Sequence, residues 1–269
     1  MFITILLCKN YDKEHSMKGT NPHTTKQNQT QMVRLNKYIS NSGVCSRRAA
    51  DNLISEGRIK VNNNVVKELG TKISVDDKVQ LDNKIIISEE KAYLLVNKPR
   101  NVICTKSDEK GRKSIMDLLP ERFQHLYPVG RLDRNSTGII LMTNDGILTQ
   151  NLLHPSKKIN KVYKAKVEKR LTQEEMNKMV SGVELEDGIS KFNKLSELEE
   201  DEFFRYGIEI HSGKNRIIRR MFEALHNRVL KLDRVMFHTF EKKGIPMGSF
   251  REVTTSELKN LGVYLKTIR

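Results

Sequence analysis

One stretch of the chain joins a reactive group to a rigid support. Tyr127 to Gly146 reads YPVGRLDRNSTGIILMTNDG. Gly130 frees the backbone ahead of Arg131, Leu132 and Asp133, polar turn residues follow, and an apolar run starts at Gly138. A carboxylate on a loop braced by a buried strand is well placed to act as nucleophile or base. The commoner use of such an aspartate is to cap a turn, and spacing alone leaves both readings open. A second cluster, GKNRIIRRM from Gly213 to Met221, offers Arg216, Arg219 and Arg220. A third is basic: Arg34, Lys37, Arg47, Arg48, Arg58 and Lys60 have only Asp51 and Glu56 among them. Arg47 and Arg48 open a helix, whose free N–H groups already favour anions. Cationic side chains beside free amides suit a phosphate backbone; a solvated basic face is the plain alternative.

The elements that carry these residues follow from periodicity and punctuation. Val33, Leu35 and Ile39 suggest a short helix stopped by Gly43. Ser46 caps a second helix whose apolar positions are Ala49, Ala50, Leu53 and Ile54, closed at Gly57. The period then drops to two: Ile59 and Val61, a turn at Asn62 to Asn64, and Val79 and Leu81 after a second turn that follows Val75. Asp82 to Glu90 reads as a polar joint around Ile85, Ile86 and Ile87. From Ala92 the texture changes to strands with a few helices between them. YLLVNKP ends at Pro99, and GIILMT is a continuous buried strand. Tyr163, Ala165 and Val167 share one strand face; Phe204, Tyr206, Ile208 and Ile210 share another. Ser114, Asp145 and Thr172 are helix caps, the last in a capping box with Glu175. Ile217, Ile218, Met221, Phe222 and Leu225 make a buried helix face, and VLKLDRV is a further strand. The expected fold class is α+β: a small helix–turn–helix unit with a short sheet over 32–90, then a mainly antiparallel sheet domain over 91–269. Residues 1–31, rich in Asn, Gln, Thr and Lys, read as a disordered tail or a wrongly assigned start.

Composition narrows the function. Lys plus Arg number 48 against 33 Asp plus Glu, a formal charge of +15, which favours a polyanionic partner such as nucleic acid. No apolar run approaches the roughly 20 residues that cross a bilayer, and MFITILLC lacks the flanks of a signal peptide. Cys8, Cys45 and Cys104 form neither a disulfide framework nor a CxxC pair, and the histidines show no HExxH spacing. Membrane insertion, a secreted disulfide scaffold and a zinc ribbon are therefore excluded, and a reducing cytoplasm fits. No GxGxxG fingerprint or Walker A loop supports a nucleotide cofactor.

Two resemblances sharpen this. RLNKYISNSGVCSRRAADNLISEGRIKVNN, continuing to about Asp82, resembles the alpha-L RNA-binding domain first seen in ribosomal protein S-four. GRLD followed by STG and LMTNDG resembles the catalytic motif of the ribosomal-RNA pseudouridine synthases of the RsuA/RluB/RluF type, which carry the same N-terminal domain. The resemblance runs from about Val33 to Leu261. It implies that Asp133 is the catalytic aspartate, that Tyr163 stacks on the target base, and that Arg219 pairs with Asp133. It further implies that Arg131 holds the flipped-out nucleotide or fills its place, that Leu232 packs in the pocket, and that Arg216 and Arg220 contact RNA phosphate. Asn97, Lys98 and Pro99 match a family strand end that reads as structural. The LLHPS stretch at Leu152 and GVELEDG at Gly182 are more similar to the large-subunit members.

The implied reaction breaks the bond from the ribose anomeric carbon to uracil N1 and rejoins the base through C5. It needs no oxidant, donor, water, metal or other cofactor. The carboxylate either attacks the anomeric carbon or removes a ribose proton; sequence leaves both open. A glycosidase would normally present two carboxylates. The expected protein is thus a cofactor-free, cytoplasmic, monomeric isomerase acting on ribosomal RNA, large-subunit RNA favoured. The competing class is a non-catalytic RNA-binding ribosome-assembly factor.

Overall fold

A computed structural model describes residues 32–267 except Val75, Ser88, Glu89, Ser107 and 199–204, with side chains described to Gly262. The expectations for residues 1–31, Val75 and Phe204 lie outside the described residues.

The first part of the chain builds its own small core. Strand β1 (Met32–Arg34) precedes a helix over Leu35–Asn41, and the Ser46 hydroxyl accepts from Ala49 N–H to cap a helix over Arg47–Ser55. Five short strands follow: β2 (Ile59–Val61), β3 (Asn64–Val65), β4 (Lys72–Ser74), β5 (Val79–Leu81) and β6 (Lys84–Ile85). The sheet order is β3-β2-β5-β6, while β1 pairs with β4 apart from it. Leu35, Ile39, Ala50, Ile54, Ile59, Ile73, Val79 and Ile86 fill the space between helices and sheet. Val33 belongs to β1 and not to the first helix, because its backbone is paired with Ile73. Asp82 to Glu90 is not merely a joint. Asp82 and Asn83 have φ of 48° and 69°, repeating the 48° and 68° of Asn62 and Asn63. Both pairs suit the tight hairpin turn that favours Asn and Asp, so each closes a two-stranded ribbon.

The second part is one twisted nine-stranded sheet. Its strands are β7 (Tyr93–Lys98), β8 (Tyr127–Pro128), β9 (Thr137–Thr143), β10 (Lys161–Val167), β11 (Lys194–Glu197), β12 (Tyr206–Ile210), β13 (Val229–Phe237), β14 (Phe240–Glu241) and β15 (Phe250–Glu252). The order is β11-β12-β10-β13-β9-β7-β15, with β14 on β13 and β8 on β9. Every pairing is antiparallel except β13 with β9, at Thr137–Asp233 and Gly138–Arg234. Strictly alternating burial along β10 hides Tyr163, Ala165 and Val167, as their spacing predicts. Helices over Gly146–Leu153, Gln173–Ser181, Ile217–Glu223 and Thr255–Thr267 cover the sheet or its ends. Asp145 caps the first through Ile147 and Leu148 N–H, and Thr172 with Glu175 caps the second. Ile217, Ile218, Met221 and Phe222 pack the third onto Tyr163, Ala165 and Leu232.

Candidate active site

Three adjacent strands bring the candidate residues together. The loop carrying Asp133 feeds β9; β9 lies beside β13, which carries Leu232 and Arg234; and β13 lies beside β10, which carries Lys161 and Tyr163. Tyr163 is opposite Arg234 and Ala165 opposite Leu232, while Val162 is opposite Met236. Val235 is therefore an extra residue, a bulge that bends β13 beside Tyr163; such bulges re-aim side chains next to functional sites. Gly138 makes the parallel crossing possible. Its φ is +116°, and a Cβ there would fall 2.3 Å from the Arg234 carbonyl oxygen.

The Asp133 loop is held from below. Leu132 is buried in the cluster with Tyr163 and Leu232, and its N–H points to Cys104 Sγ at 3.4 Å. Ser136 N–H donates to the Asp133 carbonyl, closing the turn. Lys98 is fully buried and donates to the carbonyls of Pro99 and Val102 at 3.0 and 2.8 Å. It thereby pins the 99–102 loop, whose Asn101 N–H reaches the Arg134 carbonyl. Burial lowers the Lys98 pKa, with Cys104 and Asp133 acting the other way. The Lys98-Pro99 pair, structural in the sequence reading, is a staple under the Asp133 turn.

Arg219 approaches from the helix side. Its Nη1 donates to the Val229 carbonyl at 2.8 Å and its Nη2 to Ser136 Oγ at 3.4 Å. Its Nε stands 3.7 Å from Asp133 Oδ2, an ion pair without a hydrogen bond on that nitrogen. Arg219 is buried while the Asp133 side chain is 29% exposed, so the carboxylate is the member that opens to solvent. Burial lowers the Arg219 pKa, and the facing Asp133 opposes that. Buried Tyr163 and Leu232 wall the same cleft, together with Arg131, Ser136, Lys161, Arg216 and Arg234.

The remaining expected residues are spread more widely. Arg131 is exposed on the cleft rim, and Arg216, at φ 47°, reaches Glu223 at 3.4 Å. Arg220 does not line the cleft; its guanidinium donates to Asp187 at 2.7 Å. In the first part, Arg34, Arg47 and Arg48 are exposed. Arg58 is bound by Asp82 in a two-pronged pair, and Lys60 donates to Asn83. Lys37 turns toward the second part: a Cβ added at Gly146 would meet Lys37 Cε at 3.5 Å and Asn41 Oδ1 at 3.8 Å. Sequence reasoning missed Ser136, Lys161 and Arg234. The STG motif contained Ser136 as a bare signal; Lys161, two residues before Tyr163, falls by the period of two on the same strand face, a signal the spacing does carry. No group of three or more potential metal ligands occurs among the described residues.

A lone loop carboxylate paired to a buried arginine, in a cleft with an aromatic wall, is an arrangement that can serve as nucleophile or base toward a molecule bound there. Residues 92–224 match the model of the RNA pseudouridylate synthases, and residues 33–79 match the S4 domain. The ribosomal large subunit pseudouridine synthase B of Bacillus subtilis (strain 168) is 41% identical over 86% of this chain and 96% of its own. The dual-specificity RNA pseudouridine synthase RluF of Escherichia coli (strain K12) is 34% identical over 85% of this chain and 78% of its own. A crystal structure of a pseudouridylate synthase superposes with a TM-score of 0.61 at 25% identity, covering 85% of this chain and 99% of that one. The chain belongs to the RNA pseudouridine synthase family and carries an S4 RNA-binding domain ahead of its catalytic sheet. No helix among the described residues is long and apolar enough to cross a membrane.

Proposed function

We propose that this enzyme isomerises one uridine of ribosomal RNA to pseudouridine, large-subunit RNA being favoured, with no cofactor and with Asp133 as the catalytic group. The observation that carries the reading is the Asp133–Arg219 pair at 3.7 Å, at the mouth of a cleft walled by Tyr163 and Leu232. Relatives named as large-subunit synthases support the choice of RNA. In this reading Asp133 attacks the anomeric carbon or removes a ribose proton. Arg219 fixes the carboxylate, Tyr163 stacks on the base, and Leu232 excludes water, which would otherwise release the uracil. Arg131 holds the flipped nucleotide or fills its place; flipping costs a few kcal/mol. Arg216 and Arg220 contact phosphate. Arg34, Lys37, Arg47, Arg48, Arg58 and Lys60 anchor the RNA through a domain spanning 32–90, with catalysis confined to 91–269. The enzyme works in the cytoplasm as a monomer. A non-catalytic assembly factor would have no use for an aspartate paired in this way.

Mapping pseudouridine in ribosomal RNA from cells with and without the gene tests this. The expected result is one position, in large-subunit RNA, that loses its modification with the gene. Identical maps would contradict it.

A further inference from the structure

The cleft holds more positive charge than its one carboxylate uses. Asp133 is the only acidic residue lining it among the described residues, against Arg131, Lys161, Lys214, Arg216, Arg219 and Arg234. Arg219 is engaged with Asp133, Lys214 with Asp187 and Arg216 with Glu223. Lys161 and Arg234 line the same cleft from the neighbouring strands β10 and β13, where they lie opposite Phe237 and Tyr163 respectively, and they have no acidic partner among the described residues. Neighbouring Asp233 belongs to the opposite face of β13, where Thr137 and Lys242 bind it.

Both cations are fixed in place. Arg234 is 3% exposed; its Nε donates to the Ile139 carbonyl at 2.8 Å and its guanidinium lies 4.8 Å from the Phe237 ring centroid. Its Nη2 is buried without a hydrogen-bond partner. A buried guanidinium N–H left unpaired is costly, so its persistence calls for a ligand that completes it. Lys161 donates to the carbonyls of His211 and Ile159 at 2.7 and 3.3 Å, leaving one of three N–H groups. Burial first, and Arg234 second, push the Lys161 pKa down to about 8.

Uridine isomerisation creates an anion that could fill this place. The C1′–N1 bond breaks with its electron pair going to the base, whether Asp133 attacks C1′ or a ribose proton is removed. The detached uracil is then an anion, its charge shared by N1, O2 and O4. It turns, C5 bonds to C1′, the C5 proton leaves, and N1 is protonated. Net charge and atoms balance. Donors fixed in a closed cleft stabilise such developing charge without reorganising.

Resting on the isomerase reading, we propose that Lys161 and Arg234 bind the detached uracil as an anion and hold it while it turns. The two residues act after bond cleavage begins, so they stabilise the reacting state more than the bound RNA.

The test uses the full chain and an unmodified transcript of large-subunit ribosomal RNA. Lys161→Gln should lower the single-turnover rate roughly 100-fold and change RNA Kd less than about threefold, with Tm near wild type. Lys161→Arg should recover most of the rate. A second transcript carries 5-fluorouridine, whose fluorine stabilises the uracil anion by itself. On it the Lys161→Gln deficit should shrink, read by mass spectrometry as the C-glycoside that keeps fluorine on a tetrahedral C5 and gains one water at C6, because no C5 proton is there to leave. Arg234→Lys supplies the same comparison if the glutamine variant fails to fold. Equal deficits on the two transcripts, or a loss lying wholly in Kd, would overturn this proposal alone. A wild-type chain that leaves both transcripts unchanged overturns the isomerase reading and this one with it.

Discussion

Arg219 Nε stands 3.7 Å from Asp133 Oδ2 while Arg219 Nη1 is tied to the Val229 carbonyl at 2.8 Å. The second bond fixes the guanidinium to β13, so the arginine is a fixed reference for the more exposed carboxylate, not a flexible partner. Arg219→Lys keeps the charge and loses the fork. It should cut turnover by at least about 100-fold, with RNA Kd within about threefold. It should cost roughly 1–3 kcal/mol of stability, because the Val229 carbonyl and Ser136 hydroxyl lose a donor. Turnover and chemical denaturation of the purified variant measure the two effects; wild-type turnover would show that the pair is incidental.

Gly138 is where β9 and β13 meet in parallel. A Cβ there would lie 2.3 Å and 2.4 Å from the Arg234 carbonyl oxygen and nitrogen, both backbone atoms that cannot step aside. Gly138→Ala should therefore unfold the catalytic sheet or destabilise it by more than about 3 kcal/mol, well above an ordinary surface change. Gly213→Ala, with nothing within 4 Å of the added carbon, is the control and should be nearly neutral. Thermal melts of both variants decide the matter, and a Gly138→Ala melt matching wild type would contradict the crossing described.

Glu257 gives a pH signature. Arg251 first, then Thr254 through its N–H and hydroxyl, hold the carboxyl at about 2, below its ordinary 4.5. A depressed carboxylate pKa contributes stability above the unfolded value and loses it as pH falls through the folded one. Stability should drop between about pH 4.5 and 2 as the pair that joins β15 to the last helix is protonated. Glu257→Gln should be less stable at pH 7 and show a shallower fall over that window. Equal slopes for wild type and variant would remove Glu257 from the account.

The basic face of the S4 domain divides into engaged and available charges. Arg58 is committed to Asp82, whereas among the described residues Arg48 is in no ion pair. Arg48→Glu should weaken RNA binding several-fold and flatten its salt dependence, because a lost phosphate contact releases one fewer counterion. Arg58→Ala should do less to affinity. Titrations at two salt concentrations test the order, and a larger loss from Arg58→Ala would reverse it.

Local signals carried much of this molecule. Ser46, Asp145 and the Thr172–Glu175 box cap helices where their types and spacing predict. The Asp133 loop also reads directly, as a Gly-led turn feeding an apolar strand. The Asp82-Asn83 hairpin had the same Asn-rich signal as Asn62-Asn63 but was hidden beside three consecutive isoleucines. Other features were out of reach because they depend on partners distant in sequence. Arg220 meets Asp187 from 33 positions away, and Arg219 meets Ser136 from 83. Lys161, two residues before Tyr163, shares the inward face of β10, but its place in one cleft with Arg234 depends on the pairing of β10 with the bulged β13.

The central claim is that the Asp133 carboxylate does the chemistry. Asp133→Asn keeps the shape and the turn to Ser136 while removing the nucleophile or base. The direct measurement is pseudouridine formed by purified wild-type and Asp133→Asn protein in an unmodified large-subunit ribosomal RNA transcript, with binding to the same transcript measured alongside. The account predicts no pseudouridine from the variant and a Kd within about threefold of wild type. Retained turnover in Asp133→Asn would contradict it.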